Sequence, residues 1–233
     1  MACQLDALRH CAKLSELRNT LNSLPKTLDN TYERILLNLD ELWRDDVCKV
    51  LQWLCFAQRS LTLNEMVDAL AVAFVDGAKF DPDERYPDPR DILSRCSSLV
   101  SLTEGGVLQL AHFSVKEYLL SDRIQNSKAS FYAIVELDAN HLIAESCLAY
   151  LLQFKTIDCP NESTIKNYPL AQYASEFWLQ HVNGREDALS VDLQALIMQL
   201  FETPKTHRVS CIAHASEGAD THIYGGRSIR HNF

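Results

Sequence analysis

Near the middle of the chain, two short alternating apolar runs, residues 98–102 and 107–113, flank a Glu104-Gly105-Gly106 turn. Period-two alternation around such a turn predicts a β-hairpin. This feature constrains the fold most, because the sequence around it keeps a helical period instead. Residues 5–24 set Leu5, Leu8, Leu14, Leu17, Leu21 and Leu24 on one face, Pro25 interrupts, and the period restarts over 28–39. A helix over 44–57 turns Val47, Val50, Leu51, Leu54 and Cys55 inward. Another runs over 60–74 and opens on Thr62-x-x-Glu65, the capping-box spacing in which each side chain satisfies the other's backbone N–H.

Residues 75–89 hold three prolines, four aspartates and a glycine, which predicts a loop. Asp88 then caps a helix over 90–99, with Pro89 in its first turn. Past the hairpin, Ser114-x-x-Glu117 repeats the capping-box spacing and starts a helix. A long helix follows at about 131–154, with Val135, Leu142, Cys147, Leu148, Leu151 and Leu152 facing inward. Two amphipathic helices over 169–182 and 188–201 come next, and residues 202–233 lose the apolar period and read as an irregular tail. The fold class is therefore mostly α: a helical bundle with a winged-helix domain carrying one short β-hairpin. Helix, helix, helix, hairpin, helix over 43–122 is the order of that domain. Residues 1–42 and 123–201 are helical segments on either side of it.

Composition narrows the chemistry. The chain has 31 acidic and 22 basic residues, a net charge of −9, which repels phosphate backbones and anionic membranes. The longest apolar run, 69–75, is far short of the ~20 residues a membrane span needs. Eight cysteines stand at 3, 11, 48, 55, 96, 147, 159 and 211 with no C-x-x-C, and no secretory signal precedes them. That combination predicts reduced thiols in the cytoplasm, several of them packed as small hydrophobes. There is no G-x-x-x-x-G-K-[ST], G-x-G-x-x-G, G-x-S-x-G or H-E-x-x-H, so neither an enzyme nor a resident cofactor or metal is expected. His141 and Cys147 stand six apart on one helix and do not share a face.

A winged helix often reads DNA, but the 43–122 segment carries 13 acidic against 8 basic residues, a net of −5. Its hairpin tip holds Glu104 where a DNA-contacting wing usually holds Arg or Lys. Nucleic acid is not an expected partner, and a stand-alone winged helix binding protein or DNA is the alternative reading.

Six blocks occur in order: LPKTLDNTYERIL, VLQWLCFAQRSLTLNEMVDALAV, DILSRCSSLV, LQLAHFSVKEYLL, HLIAESCLAYLL and YPLAQYASEFWLQHV. Together they resemble, over residues 1–201, the region after the NACHT NTPase domain of fungal NLR-like STAND proteins. Its winged-helix part is catalogued as that of a GPI inositol-deacylase, a label that implies no hydrolase activity here. The resemblance implies a non-catalytic regulatory module that relays between an NTPase and a sensor array, commonly of ankyrin repeats. It also implies that 1–42 is the end of the NACHT-associated helical region and 123–201 the segment leading to repeats. His112-Phe113-Ser114-Val115-Lys116-Glu117-Tyr118 is similar to the family's H-x-[ST]-x-x-E-[FY] motif, which would make His112 the nucleotide-sensing residue once a NACHT domain is supplied. The chain departs from the pattern at Arg59-Ser60, where Arg-Pro is usual, and it shows neither P-loop nor ankyrin repeat, as a fragment lacking both neighbours would. Without the NTPase, His112 reads as a half-buried strand residue beside Leu108 and Leu110.

Overall fold

The computed structural model describes residues 13, 27–75, 77–156, 167–182 and 189–202. The periodic segment before Pro25 and the segment after 202 lie outside the described residues. The chain forms two compact units, Met1–Leu70 with Tyr86–Ala139, and Ala71–Arg85 with Asn140–Phe233. Neither is continuous in sequence.

In the first unit, α1 (Leu28–Leu37) starts at Thr27, whose hydroxyl accepts the Asn30 amide. Its inner face buries Tyr32 and Leu36. Helix α2 (Arg44–Phe56) carries Asp45 and Asp46 in its first turn, where the helix dipole favours anions, and buries Val47, Val50, Leu51, Trp53 and Cys55. Helix α3 (Leu63–Leu70) stops at Leu70 rather than running on to 74. The β-branched Val72, with Ala73 after it, leaves it as a strand. Helix α4 (Asp91–Cys96) is preceded by an Asx turn in which the Asp88 carboxylate accepts the Arg90 amide.

The expected hairpin is present. Strands Val100–Leu102 and Leu108–Leu110 pair antiparallel with Val100 opposite Leu110 and Leu102 opposite Leu108. Gly106, at φ 74°, closes the turn, and its amide donates to the Thr103 carbonyl at 3.0 Å. The segment entering α3 adds a third edge: Thr62 bridges Val107, and the Leu108 amide donates to the Leu61 carbonyl at 2.9 Å. Three short extended segments beside three helices complete the winged-helix arrangement. Helix α5 (Phe113–Leu119) and the short α6 (Asp122–Gln125) follow.

The second unit contains a pairing that composition hid. Residues 75–89 were expected to be loop, yet Lys79–Phe80 pairs antiparallel with Val72–Ala73. Gly77, at φ 100°, permits the reversal. Phe80 then anchors it with an edge-on ring contact to Tyr150 at 4.7 Å. The hairpin expectation therefore counted one strand pair too few. Helix α7 begins at Glu136, five residues later than its apolar pattern suggested, and continues to Leu152. Val135, expected inward, precedes it and is 51% exposed. From Asn140 on, Ile143, Ala144, Cys147, Leu148, Tyr150 and Leu151 are all buried, so this helix is covered nearly all round rather than on one stripe. Ala144 and Leu148 pack with Leu193 and Leu196 of α9 (Val191–Glu202), and Trp178 of α8 (Ala171–Val182) lies against that cluster.

Candidate functional site: the histidine at the end of the hairpin

Ala111 closes the hairpin by donating its amide to the Leu99 carbonyl at 2.9 Å, and the chain then turns straight into α5. His112 stands at that corner in extended conformation, φ −157° and ψ 147°. It is the N-cap of α5: its carbonyl accepts the Val115 amide at 3.0 Å and its Nδ1 accepts the Ser114 amide at 3.2 Å. The Ser114 hydroxyl sits 2.7 Å from the same Nδ1 and 2.7 Å from the Tyr32 hydroxyl of α1.

The pattern of partners assigns the protons. Nδ1 already accepts a backbone N–H, so in the neutral ring the proton is on Nε2. Tyr32 then donates to Ser114, and Ser114 donates to His112. Each hydroxyl in the line polarises the next. The ring itself is exposed, as is its neighbour Phe113 at 68%. His112 is thus neither a core residue nor half-buried; the structure fixes one ring nitrogen and leaves Nε2–H turned to solvent.

This geometry corrects the expected Ser114–Glu117 capping box. The helix starts two residues earlier than that spacing requires, which puts Ser114 in its first turn and Glu117 too far along to reach back. Glu117 is exposed and makes no hydrogen bond or ion pair with any described residue. At Thr62 and Glu65 the same spacing makes its bonds. Thr62 N–H donates to Glu65 Oε2 at 2.7 Å, and Glu65 N–H donates to Thr62 Oγ1 at 3.3 Å. Glu65 is 5% exposed, and Arg59 grips both of its oxygens, at 2.6 and 3.2 Å. Sequence reasoning missed this arginine, which also donates to the Ser60 carbonyl. The Arg59-Ser60 step therefore fixes the turn from α2 into the third edge.

Beneath His112, Lys116 reaches from α5 to the Cys55 carbonyl at the end of α2, with its ammonium 5.0 Å from the Phe56 ring centre. A cation at that place also meets the negative end of the α2 dipole. The thiols nearby are poor nucleophiles. Burial pushes Cys55 up to about 11 and Cys96 up to about 12, while burial and then Asp45 push Cys48 up to about 12. Cys147, wholly enclosed, is raised further for the same reason. Among the described residues, no group of three or more His, Cys, Asp or Glu side chains is placed to hold a metal. No helix among them is long and apolar enough to cross a membrane.

Comparison with known proteins agrees with this architecture. The chain is 42% identical over 191 residues to the azaphilone pigments biosynthesis cluster protein L of Monascus ruber. That match takes in 78% of this chain and 40% of the relative, so the chain spans well under half of the relative's length. No solved structure matches. Residues 37–135, from the end of α1 through the hairpin to the start of α7, match the family described as GPI inositol-deacylase, winged helix domain. The hairpin, the helices beside it and the His112 corner all lie within that match, and the segment belongs to this winged-helix family.

Proposed function

We propose that the chain is a non-catalytic regulatory and interaction module of a NACHT (STAND) signalling system, relaying between an NTPase and a repeat sensor. His112 is the contact through which it reads nucleotide when a NACHT domain is supplied, and the chain holds no cofactor of its own. The observation that carries this reading is the His112 corner. An exposed imidazole has its Nδ1 held by Ser114, whose hydroxyl is in turn bonded to Tyr32, which presents Nε2–H outward as an oriented donor. Such a donor favours a diphosphate end whose oxygens reach it. A nucleotide whose additional phosphate forces the two surfaces apart loses the contact, and that difference in affinity is what a switch needs. The line of hydroxyls ties the reading group to α1 as well as to α5, so a displaced ring disturbs two helices together.

The test measures thermal unfolding of the chain with ADP and ATP, alone and beside a separately produced NACHT domain. Neither nucleotide is expected to shift the chain alone. With the NACHT domain, ADP should hold the complex at least tenfold tighter than ATP does, and His112→Ala should remove that gain. An ADP shift of the chain alone that vanishes in His112→Ala, or a complex indifferent to the nucleotide, overturns the proposal.

A further inference from the structure

Away from His112, the winged-helix unit has a cleft of about 540 Å³ between α1 and the end of α4, lined by Arg34, Asn38, Asp40, Trp43, Arg95 and Ser97 among others. The Arg95 guanidinium lies over the Trp43 indole at 3.4 Å from the ring centre, with Tyr86 at 5.9 Å. Stacking positions this cation, yet its Nε is buried with no hydrogen-bond partner. Asp46, the acid beside Tyr86, accepts the Tyr86 hydroxyl instead. Neither Arg95 nor Arg34 forms an ion pair with any described residue. Guanidinium groups cannot shed their charge at ordinary pH, and buried donors are ordinarily partnered. The cleft therefore holds two arginines that form no ion pair with any described residue.

Its other residues favour the same ligand. Asp40 is a carboxylate on the rim, but its Oδ1 accepts the Leu42 amide at 3.0 Å, which occupies it as a helix cap. Ser97 has φ 51° and ψ −139°, the one non-glycine residue with positive φ among those described. Strain of this kind gathers where a binding surface must be held in shape. Ser97 is the C-cap of α4, its amide donating back to the Ser94 carbonyl, and this strained corner holds its hydroxyl at the cleft.

The geometry points to an oxyanion site. The cleft binds the phosphate or carboxylate group of a small molecule, with Arg34 and Arg95 supplying charge and forked N–H donors. The Asn38 amide and the Ser97 hydroxyl add neutral donors. Charge-assisted, forked contacts of this kind are what arginine makes with planar or tetrahedral oxyanions. The volume suits an anion with a modest organic body. This site stands independently of the reading of His112.

The test is a titration of the full chain, ¹⁵N-labelled at arginine, with inorganic phosphate and separately with acetate at fixed ionic strength. The side-chain Nε–H resonances are followed throughout. A saturable shift of the Arg95 Nε–H with at least one anion is expected, and the anion that saturates at lower concentration identifies the group. Arg34→Gln should weaken that binding at least tenfold, and Asn38→Ala, a change at an exposed position, about threefold. Asn38→Ala keeps the test decisive if Arg34→Gln does not fold. No saturable shift in the folded chain, an equal shift with chloride, or saturation unaltered in every variant that folds would each overturn the assignment.

Discussion

His112 and His181 make similar contacts and have opposite consequences. Each is bonded to a hydroxyl that also involves a tyrosine: Ser114 in line with Tyr32 for one, Tyr173 directly for the other. His181 is 1% exposed, and both its ring nitrogens are filled. Nδ1–H donates to Asn140 Oδ1 at 2.8 Å, and Nε2 accepts the Tyr173 hydroxyl at 2.7 Å. His112 has one nitrogen filled and the other in water. A closed histidine of the first kind stabilises its surroundings and offers nothing to a ligand. An open one contributes less to the fold and keeps a donor in reserve.

Acidification should separate the two most strongly. Burial lowers His181 from 6.5 to about 4. Its neutral form is the folded form, so the stability it supplies is complete above 6.5 and is lost as pH falls from there towards 4. Between those values the unfolded chain binds the extra proton. The loss should reach about 3 kcal/mol by pH 4, measured by urea unfolding, and should flatten in His181→Leu. A pH profile unchanged in that variant would break the comparison. The next largest effect is expected from Tyr173→Phe, which leaves His181 Nε2 buried without a donor, at about 2 kcal/mol. Calorimetric melting of the variant checks it.

At the open site the effects should be smaller. His112→Ala removes the acceptor for the Ser114 amide and should cost about 1 kcal/mol, while His112→Asn, a good N-cap, should recover most of it. Parallel denaturant titrations of the two variants decide this, and equal losses would mean the imidazole does more than cap. Smallest is Tyr32→Phe, at about 0.5 kcal/mol, because water can replace the lost partner of Ser114. A loss as large as that of Tyr173→Phe would show the His112 corner to be as closed as His181.

The hairpin and its place among helices were legible because alternation and a Gly-Gly turn are local signals. Capping spacing was legible only in part. Thr62-x-x-Glu65 and Ser114-x-x-Glu117 are the same signal, and what separates them lies elsewhere in the chain. Glu65 is held by Arg59 just upstream, whereas Ser114 is drawn toward Tyr32, 82 residues away. The pairing of Val72–Ala73 with Lys79–Phe80 escaped notice because two-residue strands leave no period to read, and Tyr150 secures Phe80 from far along the sequence. Nothing marked Ser97, since a left-handed backbone usually declares itself as glycine. The arginines of its cleft are ordinary in sequence and become unusual only when folding leaves them without an ion pair to any described residue.

The interleaving of the two units bears on how the molecule can be made and cut. Residues 71–85 interrupt the first unit and belong to the second, whose remaining residues begin at 140. A ribosome that has released only the first 70 residues has not delivered α4, the hairpin or α5, so this unit cannot complete ahead of the second in the manner of a simple N-terminal domain. A piece excised as 43–122 would carry Val72 and Phe80 without Tyr150, leaving two buried apolar side chains to find other company. Expression of the winged helix by itself is better served by replacing 71–85 with a short polar linker than by trimming the two ends.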